Sequence, residues 1–170
     1  MNNPNPIAQP PTPVSSRPNM PGYGLLESPD GLLSWEYVSR RMAAARNYWI
    51  STTRPDGRPH AAPIWGLWHN ETFYFGTGRA SVKGRNLAHN PAVSIHLESG
   101  DDVVVLEGLV AEIGDRELLR EIYALYGRKY DLDMSASAEE GAEPTFALRP
   151  TVGFAWQEHD FPNTATRFTF

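Results

Sequence analysis

The spacing of apolar residues along the chain changes from a helical to a strand-like pattern within the first fifty residues. Trp35, Val38 and Met42 recur at i, i+3 and i+7 behind Ser34, a residue type that often caps a helix N-terminus. This pattern predicts a helix over residues 35–45. From Tyr48 onward the period becomes two, which predicts a first β-strand that ends in the turn-forming residues 54–59.

The same period of two recurs through the rest of the chain. A return strand is predicted over residues 61–68, and Pro63 within it cannot donate to a ladder and therefore requires a sheet edge or a bulge. Further strands are predicted over residues 72–75, 93–97, 103–113, 146–156 and 166–170. We expect the longest of them to be interrupted at Glu107–Gly108.

Two more helices are predicted between these strands. One begins at Ser81 and stops at Asn90–Pro91, and the other is capped by Asp115 and closed by Gly127. Six or seven mostly antiparallel strands with two or three short helices indicate a mainly β protein, built as a closed or nearly closed barrel.

Proline marks off the beginning of the chain. Residues 1–30 hold eight of the fifteen prolines and few large apolar residues, so we expect a disordered or loosely attached arm there. A partner-binding arm is the alternative. The barrel is then expected over residues 31–170, with a mobile acidic loop at residues 133–143.

Composition excludes several classes of function. The 170 residues are 41% apolar and include no cysteine, which excludes disulfides, iron–sulfur clusters and Cys-ligated zinc. A formal net charge of −5 gives no electrostatic footprint for nucleic acid. No run of about 18 apolar residues is present, nor an N-terminal basic segment followed by an apolar one, so we expect a cytoplasmic protein without a membrane partner.

Motifs of hydrolytic and metal chemistry are missing from the sequence. The five histidines form no HExxH motif, and His96-x-Glu98 offers two ligands, too few for a metal site. No serine lies in a G-x-S-x-G elbow. The carboxylate pairs Asp101–Asp102 and Glu139–Glu140 lie in predicted turns or loops, where solvation explains them.

The segment from Thr77 to Asn86 gathers glycine, hydroxyl and cationic residues at a predicted strand-to-helix junction. The first turn of a helix carries unpaired N–H donors, and Thr77, Ser81, Arg79, Lys83 and Arg85 would add hydroxyls and charge, so the segment could hold a phosphate. A capped surface helix with solvated cations is the alternative interpretation.

The order of motifs resembles a known family. A first strand is followed by a D-G turn, a strand with A-P-I-W and an aromatic strand ending in F-G-T-G, and then by S-V-K-G-R-N-L and N-P-A-V-S-I-H-L. This order resembles the flavin-binding split barrels of the pyridoxamine 5'-phosphate oxidase superfamily. Within it, the chain looks most like the oxidoreductases that use the deazaflavin coenzyme F420. The resemblance covers residues 44–157.

The resemblance implies an FMN-binding type of split barrel and specific site residues. It places the cofactor ring against the backbone of the second strand and the phosphate on the S-x-K element. The implied cofactor-binding residues are Ala62, Pro63, Ile64, Trp65, Gly76, Thr77, Arg79, Ser81, Val82, Lys83 and Asn86. It also implies a homodimer with the cofactor between subunits, and the apolar strands around Val103 and Phe154 could supply that contact.

The chain departs from pyridoxamine 5'-phosphate oxidase itself. The second strand reads H-A-A-P-I-W over residues 60–65 and is apolar at the positions where that enzyme carries Arg and Lys. The C-terminal substrate segment also has no clear match, so vitamin B6 oxidation is not expected. The spread of Arg79, Lys83, Arg85, Arg128 and Lys129 would suit the longer anionic tail of a deazaflavin.

No acid or base motif is needed, because a flavin or deazaflavin ring carries the hydride itself. His60 or Tyr74 could supply a proton by position, and Trp65 could wall a planar ring, whereas Trp68 fits the core better. The leading hypothesis is therefore an F420-dependent reductase of a small unsaturated or quinone-like acceptor. The alternatives are an FMN-dependent oxidoreductase, a non-catalytic cofactor- or tetrapyrrole-binding barrel, and a barrel whose turn binds nothing.

Overall fold

A computed structural model of the protein describes residues 12–134, 137 and 143–170. Antiparallel strands dominate it. The strands are β1 (Val14–Ser16), β2 (Asn47–Thr53), β3 (Pro59–Trp65), β4 (Leu67–His69), β5 (Thr72–Gly76), β6 (Ala92–His96), β7 (Asp102–Glu112), β8 (Thr145–Leu148), β9 (Val152–Gln157) and β10 (Thr166–Thr169). The helices are α1 (Trp35–Ala44), α2 (Val82–His89), α3 (Arg116–Tyr130) and α4 (Phe161–Thr164).

The strands form a barrel-like sheet that splits at β7. Hydrogen-bonded neighbours follow the order β1-β10-β9-β7-β6-β2-β3. Off this path, β8 pairs with both β7 and β5, and β5 also pairs with β4. The long strand β7 pairs with β9 over its first half and with β8 over Val110–Glu112. One branch ends at β3 and the other at β4, and Gly66 alone separates these two strands in sequence. The ends of the branches are therefore joined by the chain, although β3 and β4 form no ladder with each other.

The core lies between these branches. Tyr48 and Ile50 of β2, Phe73 of β5, Val104 of β7 and Phe168 of β10 are fully buried there. Helix α1 adds its i, i+4 pair Val38 and Met42, as predicted from their spacing, and Ser34 caps it by accepting the Tyr37 N–H at 3.1 Å. The mainly β class and the split-barrel architecture predicted from the sequence are thus confirmed.

Glycines explain where the predicted strands differ from the observed ones. A Cβ on Gly66 would lie 2.1 Å from Phe73 Cζ, so the predicted strand 61–68 divides into β3 and β4 around that close contact. Trp65 consequently points outward and Trp68 into the core. The predicted break at Glu107–Gly108 is wrong, because β7 runs through it; Gly108 instead leaves room for the Arg149 carbonyl oxygen, which a Cβ would approach to 2.8 Å.

Helix α3 is longer than predicted. It packs Ile122 against Leu67 and Tyr74 on the outside of β4 and β5. Gly127 does not close it, since the helix continues to Tyr130 and ends at Asp131, which has the left-handed φ of 57°. Gly127 is needed because the chain folds back over it, so that a Cβ there would lie 2.7 Å from the Leu132 carbonyl oxygen.

The proline-rich arm is attached from residue 14 onward. β1 pairs with β10, so Val14–Ser16 join the sheet although they lie within the proline-rich residues 1–30. The reason is that proline is absent from these three residues, and Arg17 then fixes the arm by donating to the Asn163 and Ser28 carbonyls at 2.5 and 2.9 Å. Residues 1–11 and most of the predicted acidic loop lie outside the described residues.

Candidate functional site

The turn between β5 and α2 is organised around Ser81. Its side chain caps α2 by accepting the Gly84 N–H at 2.9 Å, and its hydroxyl lies 3.0 Å from Thr77 Oγ1. A Cβ on Gly84 would approach the Gly78 carbonyl oxygen to 2.3 Å, so the turn folds tightly onto the helix only because that residue is glycine. The predicted helix is confirmed. Thr77, Ser81 and Lys83 are called the α2 cradle below.

Lys83 is the cation of the cradle that remains available. Its side chain is half-buried and makes no hydrogen bond or ion pair with any described residue. A partly buried ammonium without an acceptor gains from an anionic ligand more than a fully solvated one does.

Arg54 brings a second positive charge, and His60 an imidazole ring, close to Lys83. Burial, with additional contributions from Arg54 and Lys83, lowers the pKa of His60. Thr52 Oγ1 lies 2.9 Å from Asn86 Nδ2 and 3.4 Å from His60 Nδ1, which places the beginning of β3 beside α2. Arg54, at the end of β2, also makes no hydrogen bond or ion pair through its side chain with the residues that the structure describes. Because a lowered pKa disfavours the imidazolium of His60, Lys83 and Arg54 supply the charge of this positive region, which is suited to a phosphate.

Asn86 holds α2 in place below this region. The side chain is 2% exposed and its Nδ2 donates to Thr52 Oγ1 at 2.9 Å, while Thr52 Oγ1 lies 3.4 Å from His60 Nδ1. Asn86 is therefore turned toward β2 and acts from beneath the cradle. Sequence reasoning missed Thr52 and Arg54, although Thr52 lies on the core-facing register of β2 and Arg54 directly follows that strand.

The other predicted cations do not converge on the cradle. Arg79 is engaged by Glu112, with N···O distances of 2.5 and 3.0 Å. Arg85 donates to the Ala80 carbonyl of its own turn. Lys129 donates to Gly66 O at 2.8 Å, next to the junction of β3 and β4, and Arg128 lines a cavity on α3. The expectation of one groove lined by all five cations is thus wrong, because four of them face acceptors or surfaces elsewhere.

The strand β3 carries the residues that the resemblance placed against a cofactor ring. It pairs with β2 alone among the described strands, so its second edge makes no ladder. Pro63 is tolerated here because such a position needs no N–H donor. Ile64 is buried in the core, Ala62 is half-buried, and Pro63 and Trp65 are exposed. The edge therefore offers backbone groups and an apolar surface to a planar molecule.

A cavity of about 490 Å³ opens on the other side of the turn. Gly76 and Thr77 line it from β5, Tyr74 and Tyr126 add phenol rings, and Thr145 closes one wall. Burial raises the pKa of Tyr126 to about 12 and also raises that of Tyr74, so both hydroxyls keep their protons at neutral pH. Thr77 thus belongs both to the cradle and to the wall of this cavity, Gly76 lines the cavity alone, and Val82 begins α2.

A family model for pyridoxamine 5'-phosphate oxidase matches residues 37–157, a range that includes β3, the cradle and most of the barrel. The chain belongs to the pyridoxamine 5'-phosphate oxidase family. This membership confirms the resemblance drawn from the sequence motifs. No curated protein sequence matches the chain significantly.

Solved structures of several proteins share the fold of this family member. A conserved hypothetical protein from Mycobacterium tuberculosis is 19% identical, with a TM-score of 0.66 over 80% of this chain and 88% of that one. An F420 reductase is 25% identical, with a TM-score of 0.54 over 67% and 94% of the two chains. The heme storage protein HutZ from Vibrio cholerae is 18% identical, with a TM-score of 0.58 over 68% and 88%.

The residues present fit a phosphate-bearing flavin or deazaflavin. The half-buried Lys83, the Ser81 and Thr77 hydroxyls and the N-terminus of α2 supply cationic and polar donors for a phosphate. The unpaired edge of β3 supplies a surface for a ring. In the part of the chain that the structure describes, no helix is long and apolar enough to cross a lipid bilayer.

Proposed function

We propose that the chain is an oxidoreductase that binds the deazaflavin coenzyme F420 and reduces a small unsaturated or quinone-like acceptor. The observation that carries this proposal is the available charge of Lys83, half-buried beside Ser81 and close to the beginning of an unpaired strand edge. When bound, such a cofactor supplies the hydride chemistry. The protein's part is to bind it, orient it and leave one ring face open to the acceptor.

The cradle and His60 would hold the phosphate. Lys83 and Arg54 contribute charge, and Ser81 and Thr77 donate hydroxyl hydrogens while Asn86 keeps α2 against β2. Arg79 would join them only by exchanging Glu112 for the ligand, since its guanidinium is already occupied. Ala62, Pro63, Ile64 and Trp65 would support the ring along the edge of β3.

FMN is the alternative cofactor in the same site, and titration separates the two. Purified protein is titrated with F420, FMN and heme, and reduction of a soluble quinone is then followed with the reduced cofactor. We expect saturable F420 binding and quinone reduction. Tight FMN binding without a response to F420 would assign the site to FMN. Heme binding without turnover would make the protein a non-catalytic binder, and no binding at all would leave the cradle without a ligand.

A second copy of the chain is proposed to complete this site. One cross-strand row on the sheet face opposite the core comprises Pro63, Trp49, His96, Val105, Phe154 and Arg167. Trp49, Val105 and Phe154 in this row are apolar and half-buried, which favours coverage by another subunit. Light scattering should report a dimer, and Val105→Lys should shift it toward the monomer. A monomeric wild-type protein would contradict the assembly.

A further inference from the structure

Trp65 and Tyr130 form a rigid aromatic pair at the end of β3. Their ring centres lie 4.6 Å apart and the planes differ by 8°. Tyr130 is buried and its hydroxyl lies 2.7 Å from the Arg46 carbonyl oxygen and accepts the Gly66 N–H at 2.9 Å. Trp65, by contrast, is 42% exposed. One face of the indole is therefore fixed on a buried ring, and the side chain still presents surface to solvent.

The Arg46 guanidinium flanks this pair. Its central carbon lies 5.3 Å from the centre of the Trp65 ring and 5.6 Å from that of Tyr130. Because these distances are almost equal, the guanidinium stands beside the two rings and does not cover the outer face of Trp65. Its N–H groups make no hydrogen bond or ion pair with a described residue. Aromatic contacts thus orient a planar cation whose donors remain free.

The pair lies on the strand proposed to support the cofactor ring. His60, near Lys83, and Trp65 are five residues apart in β3, which corresponds to about 17 Å of extended strand. Trp65 shares its outward register with Pro63. A ring lying along the edge of β3 from the α2 cradle would therefore approach Trp65 at its far end.

We propose that Trp65, Tyr130 and Arg46 form the acceptor subsite, and that the acceptor is a planar conjugated molecule with a carbonyl or anionic oxygen. This inference rests on the proposed function. The indole face would stack on the acceptor, and Arg46 would donate to its oxygen. As the acceptor takes up a hydride from the reduced cofactor and a proton from water, negative charge develops on that oxygen, and the guanidinium stabilises it.

The test measures acceptor binding separately from cofactor binding. Calorimetric titrations use 1,4-naphthoquinone-2-sulfonate as the probe and F420 as the cofactor, with wild-type protein, Arg46→Gln, Arg46→Lys and Trp65→Leu. Arg40→Gln is the matched control, because Arg40 is an exposed arginine on α1. Circular dichroism verifies that each variant is folded.

We expect Arg46→Gln to weaken probe binding roughly ten- to hundredfold, the loss of one charge-assisted contact. Arg46→Lys should not restore it fully, since lysine lacks the planar fork. Trp65→Leu should weaken the probe as well, and Arg40→Gln should change nothing. F420 affinity should stay unchanged in the Arg46 variants, while the KM for the quinone rises.

Two outcomes overturn the subsite, and they differ from a failure of the proposed function. Equal probe affinity in wild-type protein and Arg46→Gln, or no probe binding to a protein that still binds F420, contradicts the subsite and leaves the cofactor site standing. If the wild-type protein does not bind F420, the proposed function is contradicted, and so is the acceptor subsite that rests on it.

Discussion

Asn86 of α2 donates a hydrogen bond of 2.9 Å to Thr52 of β2, and the amide that makes it is 2% exposed. This bond joins the helix of the cradle to the barrel wall. Asn86→Ala should lower the free energy of unfolding by about 1–3 kcal/mol, because it removes a buried hydrogen bond and leaves the Thr52 hydroxyl only long contacts with His60, at 3.4 and 3.5 Å. Urea unfolding measures the change. His89→Gln, at an exposed position in the same helix, should change stability by less than about 0.5 kcal/mol, and equal losses in both variants would contradict this account.

Gly66 is predicted to tolerate no side chain. A Cβ there would lie 2.1 Å from Phe73 Cζ, and Phe73 is fully buried and cannot move away. Gly66→Ala should therefore destabilise the protein by roughly 1–3 kcal/mol through overpacking. Gly100→Ala is the matched control, since a Cβ on Gly100 would have no neighbour within 4 Å. Thermal unfolding of the two variants tests the prediction, and an unchanged melting temperature for Gly66→Ala would refute it.

Lys129 should make stability rise with pH in the alkaline range. Its ammonium donates to Gly66 O and Tyr48 Oη at 2.8 and 2.7 Å, and burial lowers its pKa to about 8 from the usual 10.5. Between these values the unfolded chain binds more protons at this site than the folded chain does, so the contribution of Lys129 to folding grows as pH rises.

Lys129→Met removes this contribution and is the variant that isolates it. The urea midpoint of the wild-type protein should rise relative to that of Lys129→Met between pH 7.5 and pH 9.5. A difference that stays constant with pH would show that the ammonium is not desolvated in the folded protein.

His60 should report on the charge of the cradle. Burial, Arg54 and Lys83 together lower its pKa in the free protein. Lys83→Ala should therefore raise the pKa of His60, and inorganic phosphate bound near it should also raise that pKa by favouring the imidazolium. NMR titration of the His60 ring protons measures both effects. If neither the substitution nor phosphate moves the pKa of His60, the positive region does not act on the proposed ligand.

The strands and helix caps could be predicted from local patterns. The change of period at Tyr48 located β2, and Ser34, Ser81 and Asp115 marked the helix N-termini because capping depends on residues close in sequence. The division of β3 from β4 could not be read this way. It follows from the contact between Gly66 and Phe73, which only the folded barrel creates.

In the candidate site too, local features could be predicted from the sequence and long-range contacts could not. The S-x-K element was found because its residues are consecutive, and Ser81 of that element caps α2. The partners Thr52 and Arg54 come from another strand, and the pairing of Arg79 with Glu112 joins residues 33 positions apart. No local pattern shows which cation remains without an acceptor after such long-range pairing. The cation that remains available is the one that can bind an anionic ligand.

The measurement that tests the central claim most directly is F420 and FMN affinity in wild-type protein, Lys83→Ala and Arg85→Ala. Both variants remove one cation from α2, but Arg85 is exposed and donates to the Ala80 carbonyl of its own turn. The account predicts that Lys83→Ala weakens the bound cofactor about tenfold or more, while Arg85→Ala leaves its affinity within about twofold. Equal affinity in all three proteins, or no binding of either cofactor to the wild type, would contradict it.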